Sequence, residues 1–142
     1  MTIHITSERD GKLRQRAVIE SFDDLLVDVP VPFGGDGEAP DPHDYFDMSL
    51  GACKAITAQM YAKRKEWPLE GVSVTVTRDE RDERRGVYRL DVAMTFHGID
   101  DPEQQARLEE ISHKCPIHRL MTSSTVEVTT HRVAAEHHAS AG

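Results

Sequence analysis

The sequence has little of what nucleic-acid-binding or membrane-spanning proteins require. Its 17 lysines and arginines are outnumbered by 25 aspartates and glutamates, which gives a formal net charge of −8. Because this charge repels phosphate backbones and anionic lipid, we expect neither nucleic acid nor a membrane as a partner. No apolar run approaches the roughly 20 residues that cross a bilayer, and the N-terminus lacks the features of a signal peptide. The sequence therefore predicts a cytoplasmic protein.

Cysteine is equally scarce, since the 142 residues contain two, Cys53 and Cys115. A reducing cytoplasm disfavours a permanent structural disulfide, so the two are either unreactive core residues or a redox pair. A chain of this length fits one domain with its own core. We place this single domain at residues 1–133 and predict that residues 134–142 form a disordered tail.

Alternating and helical hydrophobic patterns follow one another in the order βββ-α-ββ-α-α-β. Strands in blocks with helices between them indicate an α+β fold rather than a doubly wound parallel sheet. The charged stretch RDERDERRG, which follows the fourth strand, predicts a solvated hairpin tip. The predicted strands are 2–9, 13–19, 25–29, 72–77, 87–96 and 124–133, and the predicted helices begin at residues 42, 102 and 116.

The first helix carries the clearest local signals. Asp41 suits the N-cap, Pro42 the first helical position, and Asp44 the first turn, where carboxylates are favoured. The segment that follows, YFDMSLGACKAITAQMY, is mostly apolar or small, and it places Cys53 in the middle of the helix. A helix apolar over so much of its circumference is predicted to be buried centrally.

Cys115 has a different setting, at a helix break with Pro116 directly behind it. If Cys115 caps the helix that begins there, exposed N–H groups and the positive helix end are expected to lower its pKa. Taken singly, each cysteine also fits a packing role. Together they suit a peroxidatic thiol, which is oxidised to sulfenic acid, and a resolving thiol, which condenses with it to a disulfide.

The segment DPHDYFDMSLGAC, from Asp41 to Cys53, resembles the Asn-Pro-Glu-x-Leu-x-x-Ala-x-x-x-Cys pattern of the OsmC/Ohr family. The Cys115-Pro116 pair, the cysteine spacing and the element order are also similar, so the resemblance covers roughly residues 2–133. It implies an OsmC-like fold with an antiparallel sheet, a central cysteine-bearing helix and an intertwined homodimer.

The same resemblance implies a stress-response, antioxidant activity. In this family a peroxidatic cysteine, here Cys53, and a resolving cysteine, here Cys115, reduce organic hydroperoxides through a redox-active disulfide. The resemblance implies no cofactor; the electrons come from an external dithiol, such as a lipoylated protein. It also implies active sites at the subunit interface.

The sequence departs from the family pattern at the residue that orients the activating arginine. The family has a glutamate there, and this chain has His43. The neighbouring carboxylates of Asp41, Asp44 and Asp47 are the alternatives. At ~1.5 Å per residue, His43 lies about 15 Å along the helix from Cys53, so we expect it to serve a partner subunit's thiol.

The activating arginine itself has one leading candidate. Arg9, in the sequence Arg9-Asp10-Gly11, lies at a place comparable to the family arginine. Arg14 and Arg16 are the fallback candidates. An arginine is needed because a mid-helix thiol in apolar surroundings otherwise has a raised pKa, whereas the nucleophile is the thiolate.

Three other functions compete with peroxide reduction. His113, Cys115 and His118, with Cys53 as a fourth ligand, suggest a metal site, although their spacing matches no standard zinc motif. Cysteine hydrolase chemistry lacks a recognisable oxyanion hole. The serious alternative is a non-catalytic protein of the same fold that binds a small hydrophobic ligand or senses oxidants by a reversible disulfide.

Overall fold

The structure is a computed structural model, and it describes residues 1–8 and 10–135. A three-stranded antiparallel sheet opens the chain and a long helix follows it. A two-stranded antiparallel hairpin and two short helices complete the described residues. The elements are β1 (Ile3–Ser7), β2 (Gln15–Ile19), β3 (Phe22–Val27), α1 (Pro42–Arg64), β4 (Gly71–Asp79), β5 (Arg89–His97), α2 (Pro102–Ser112) and α3 (Pro116–Ser123).

The N-terminal sheet has strand order β1-β2-β3, with His4 opposite Val18 and Arg16 opposite Leu26. Every residue of β1 is exposed. The sheet is tied to the rest of the chain mainly at its third strand, where the Tyr45 hydroxyl donates a hydrogen bond to the Leu26 carbonyl. This sheet therefore contributes little to the hydrophobic core.

The core lies where α1 packs against the β4–β5 hairpin and α2. Gly51 permits the close approach of α1 to β4, because a Cβ at this position would lie 2.8 Å from a Val76 methyl group. The valines at alternate positions of β4 face the helix, as the alternating pattern predicts. The buried core residues are Ala58, Tyr61, Ala62, Ile99 and Leu108.

The predicted α+β class, with antiparallel strands and three helices, is confirmed, and the first eight elements occur in the predicted order, although the third strand begins three residues earlier than predicted, at Phe22. The predicted ninth element is wrong for the single chain, because residues 124–133 form no strand. The side chains of Val126 and Val128 are 65% and 79% exposed. Alternation determines which face each side chain points to. A strand also needs a neighbouring strand edge that satisfies its backbone groups, and the described residues offer none to this segment.

The prediction that α1 is buried around most of its circumference needs correction as well. Its buried face carries Leu50, Lys54 and Ala58, whereas Ile56 and Met60 on the opposite face are 55% and 66% exposed. The sequence pattern counts apolar residues but does not say how many neighbours surround a helix. No helix among the described residues is long and apolar enough to span a membrane.

Candidate functional site

The N-terminus of α1 is fixed by the cap that the sequence predicts. The Asp41 carboxylate accepts a hydrogen bond from the Asp44 backbone N–H, at 2.8 Å, and the Asp44 carboxylate accepts one from the Asp41 N–H, at 2.9 Å. This reciprocal pair satisfies backbone donors that would otherwise lack partners. The capped helix carries Cys53, which is half-buried, on the side that faces α3.

Cys115 is the N-cap of α3, as predicted. Its Sγ accepts a hydrogen bond from the backbone N–H of His118, at 3.3 Å, and its side chain is fully buried. The expected lowering of its pKa is wrong, however. Burial raises the pKa of the Cys115 thiol, and this effect outweighs the opposing influence of the His118 amide.

The contact of α1 with the start of α3 brings Cys53 near Cys115, although the two are far apart in the sequence. The side chains of Cys53 and Cys115 are close enough to interact, and this interaction also raises the pKa of Cys115. Both cysteines are present as free thiols. Burial therefore favours the protonated form of the Cys115 thiol. The arrangement suits a nucleophile paired with a resolving thiol.

A buried lysine lies beside the thiols. Lys54 follows Cys53 on α1, and its side chain is 4% exposed. Its ammonium donates hydrogen bonds to the Ser112 carbonyl, at 3.0 Å, and to Nδ1 of His118, at 2.9 Å. Because Nδ1 accepts from the ammonium, the His118 ring is neutral. Burial first, and the Lys54 charge second, lower the pKa of His118.

The two fallback arginines, Arg14 and Arg16, form ion pairs in the N-terminal sheet. Arg9 lies outside the described residues. The Arg14 guanidinium lies 2.7 Å from the Glu8 carboxylate and also pairs with Glu38, and Arg16 pairs with Glu8 and Asp24. Both fallback arginines are therefore occupied by carboxylates.

His43 lies far from the thiols of its own chain, as the helix spacing predicts. Its Nε2 lies 2.8 Å from a Glu83 carboxylate oxygen, and its ring packs against Tyr88 with centroids 5.7 Å apart. Where the family pattern has a glutamate, this chain therefore has a histidine that contacts a carboxylate. None of the described arginines hydrogen-bonds to His43.

The carboxylates that the sequence offered as alternatives to His43 bind a different arginine, Arg78 of β4. Its Nε lies 2.7 Å from the Asp47 carboxylate, and its other nitrogens reach Asp44 and Asp41. Asp47 is buried and also accepts a hydrogen bond from the Tyr88 hydroxyl, at 2.7 Å. This arginine cluster, formed by Arg78 and its three aspartates, clamps the N-terminal end of α1 to β4.

An apolar cavity of about 410 Å³ opens between α1, β5 and α3. Its walls include Leu50, one turn before Cys53, and His118, whose backbone N–H binds Cys115. The remaining apolar walls come chiefly from Phe46, Leu90 and Met121. A cavity of this size and character admits a small hydrophobic molecule close to the thiol pair.

The alternative metal site does not assemble as predicted. Within the described part of the chain, the potential ligand atoms that lie within 4.8 Å of one another belong to His43, Glu80 and Glu83. His113 and His118 stack edge to face, with centroids 5.9 Å apart, and His118 Nδ1 is occupied by Lys54.

Two side chains that organise this region were missed in the sequence. Lys54 lies four residues after Leu50 and four before Ala58, so it occupies a core position of the helix. Arg78 continues the alternation of Val74 and Val76 and therefore points toward α1. In both cases the sequence places a charged residue where the hydrophobic periodicity expects a core residue, and this exception could have identified the side chain.

The antiparallel strands, the central cysteine-bearing helix and the second cysteine at a helix N-cap define an α+β protein with two free cysteines. A family model described as OsmC-like protein matches residues 35–131. This chain belongs to the OsmC-like family. Among curated protein sequences, none matches it.

Solved structures of similar fold agree with this assignment. A protein from Psychrobacter arcticus, described as an osmotic stress induced and detoxification response protein, is 25% identical, with a TM-score of 0.72 over 87% of this chain and 89% of that one. An OsmC-like protein from Mycoplasma pneumoniae is 18% identical, with a TM-score of 0.69 over 86% of each chain. An organic hydroperoxide resistance protein from Legionella pneumophila is 23% identical, with a TM-score of 0.60 over 87% of this chain and 90% of that one.

Proposed function

We propose that this protein reduces organic hydroperoxides, with Cys53 as the peroxidatic thiol and Cys115 as the resolving thiol. The observation that carries the proposal is the proximity of Cys53 on α1 to Cys115 at the start of α3, near an apolar cavity whose walls include Leu50 and His118, each about one helical turn from a cysteine. A relative of the same fold is named an organic hydroperoxide resistance protein, which supports this class of substrate. The apolar walls favour a hydroperoxide with a hydrocarbon body over hydrogen peroxide.

The proposed reaction has three steps. The Cys53 thiolate attacks the terminal peroxide oxygen, the O–O bond breaks, and the alkoxide leaves with a proton as an alcohol. The Cys115 thiol then attacks the sulfur of the Cys53 sulfenic acid, which forms the disulfide and releases water. Finally, an external dithiol reduces the disulfide by thiol–disulfide exchange and is itself oxidised. No cofactor takes part, and a lipoylated protein is the proposed dithiol.

We further propose that the working form is a cytoplasmic homodimer. Ile56 and Met60 are exposed on one face of α1, and Val126 and Val128 are exposed after α3. These grouped apolar side chains support a dimer because a partner subunit would cover them, whereas single exposed apolar residues are normal on a protein surface. A dimer also gives Arg9 and His43 of one subunit a route to the thiols of the other. Size-exclusion chromatography with light scattering tests this assembly, and a monomer at micromolar concentration contradicts it.

Peroxide consumption tests the activity directly. Cumene hydroperoxide is mixed with dihydrolipoamide and with wild type, Cys53→Ser or Cys115→Ser, and the remaining peroxide is followed over time. Wild type is expected to turn over many times, and Cys53→Ser is expected to match the rate without protein. Cys115→Ser is expected to accumulate a Cys53 sulfenic acid, which dimedone labels, because the resolving thiol is missing.

The matched control is Thr75→Ser, which alters an exposed hydroxyl on the face of β4 that points away from α1. It is expected to keep the wild-type rate. If wild type consumes peroxide no faster than Cys53→Ser, the peroxidase proposal is wrong.

A second candidate function is the non-catalytic one, in which the protein binds a small hydrophobic ligand or senses oxidants. The contact of His43 with Glu83, in place of an arginine-orienting carboxylate, favours it. A sensor forms one Cys53–Cys115 disulfide per chain and then stops, even with dithiol present. The stoichiometry of peroxide consumed per chain therefore separates the two functions.

A further inference from the structure

Lys54 is a buried cation whose charge has no carboxylate partner among the described residues. No acidic side chain in that part of the chain lies within 4.0 Å of its ammonium. Lys54 and Glu109 both line a cavity of about 300 Å³, but Glu109 forms no ion pair with the Lys54 ammonium. The two groups that accept its hydrogen bonds, the Ser112 carbonyl and the His118 ring, are neutral. Buried charges are normally paired, because an isolated ion is poorly solvated in the protein interior.

The acid that the fold brings to the Lys54 ammonium is the Cys115 thiol, which belongs to the turn that Lys54 binds. Cys53 precedes Lys54 on α1, and its side chain interacts with that of Cys115. That turn is held from both sides: the Ser112 carbonyl accepts from Lys54 and from the Cys115 N–H, at 3.4 Å. His118 likewise accepts from Lys54 through its ring and donates to the Cys115 sulfur through its backbone.

We propose that Lys54 is the counter-ion of the thiolate in the Cys53–Cys115 pair, held in place by Ser112 and His118. One positive charge compensates one thiolate. The second thiol therefore keeps its proton and donates a hydrogen bond to the first. The proton of the ionised thiol passes to solvent. This inference rests on the proposed function only in its choice of the thiol pair as the site.

The electrostatic effect on Cys115 supports this assignment. The Lys54 charge lowers the pKa of the Cys115 thiol, against the larger effect of burial. The remaining titratable groups that face the ammonium are His118 and His113, and the depressed pKa of His118 keeps its ring neutral, so it does not compete with Lys54 for the anion. Lys54 is therefore a positioning and electrostatic residue, not a nucleophile or a base.

The test is the pH dependence of thiol alkylation, which needs no peroxide. Wild type, Lys54→Met, Lys54→Arg and the control Lys63→Met react with iodoacetamide between pH 5 and 10, and peptide mapping gives the rate at Cys53. Lys63 is an exposed lysine on the same helix. Lys54→Met is expected to raise the midpoint by about one pH unit, which slows alkylation about tenfold at pH 7. Lys54→Arg is expected to restore most of the rate, and Lys63→Met to match wild type.

An unchanged profile in Lys54→Met overturns the proposal. If circular dichroism shows that this variant does not fold, the alkylation profile of wild type tests the proposal instead. The proposal requires the midpoint of Cys53 alkylation to lie below the ~8.5 of an ordinary cysteine. A wild-type midpoint at or above that value overturns it. If the protein does not turn over peroxide but the midpoint of Cys53 alkylation still depends on Lys54, only the proposed function is wrong. If the protein turns over peroxide but that midpoint does not depend on Lys54, only this inference is wrong.

Discussion

Helix α1 carries two cationic neighbourhoods that differ in what surrounds the charge. At its N-terminal end, Arg78 of β4 lies among the carboxylates of Asp41, Asp44 and Asp47. In the middle of the helix, Lys54 is more deeply buried, and its ammonium contacts a carbonyl and a neutral imidazole. The first cation is compensated several times over, and the second has no carboxylate within ion-pair distance in the described chain.

The difference separates a structural charge from a charge available for chemistry. The Arg78 charge is neutralised by aspartates of the helix that it clamps, so its removal affects the fold. The Lys54 charge has no such partner among residues 1–8 and 10–135, which is why we assign it to an anion formed by the thiol pair. Three substitutions and one change of pH test this contrast.

Arg78→Met is expected to lower the free energy of unfolding by about 3 kcal/mol, because it leaves the buried Asp47 carboxylate without its cation. Urea unfolding followed by circular dichroism measures the loss. Alkylation of Cys53 is expected to keep the wild-type midpoint. The control is Arg84→Met, an exposed arginine of the same hairpin, which is expected to change stability by less than about 0.5 kcal/mol. Equal losses in the two variants would contradict the clamp.

Tyr88→Phe is expected to lower the free energy of unfolding by about 1 kcal/mol. The substitution removes the hydroxyl that donates to Asp47 but keeps the ring that packs against Phe46. Combined with Arg78→Met, it is expected to show a non-additive loss in a double-mutant cycle, since both groups bind one carboxylate. Strict additivity would show that the two contacts are independent.

Lys54→Met is expected to change the free energy of unfolding by no more than about 1 kcal/mol in either direction. Loss of two hydrogen bonds is offset by removal of a buried charge and by an apolar side chain of similar length. The same urea experiment measures the change. A loss as large as that of Arg78→Met would show that Lys54 is a structural charge too, and the contrast between the two cations would fail.

The pH dependence of stability gives the smallest effect. Burial lowers the pKa of His118 below its ordinary 6.5, so the folded chain favours the neutral ring. Its contribution to stability is complete above the unfolded pKa and is lost as the pH falls toward the folded pKa. Between pH 7 and pH 5, wild type is therefore expected to lose more stability than His118→Gln, which keeps a neutral acceptor for Lys54. Parallel pH curves for the two proteins would contradict this sign.

Much of the architecture follows from local sequence. The cap formed by Asp41 and Asp44 and the proline that follows place the start of α1, and alternating valines place β4. Cys115 before Pro116 places the start of α3. These signals are local because each depends on residues within one turn or one strand. The α+β class and the family resemblance were therefore within reach of the sequence.

The elements, the two thiols and the N-cap position of Cys115 follow from the sequence alone. The proximity of the two thiols, the raised pKa of Cys115 and the lack of a strand at residues 124–133 depend on the folded chain. So does the burial of Lys54, whose ammonium has no carboxylate at ion-pair distance in the described part of the chain. The physical reason is common to all four: contact, solvation and strand pairing depend on residues distant in the chain, and these come together only when α1 packs against its neighbours.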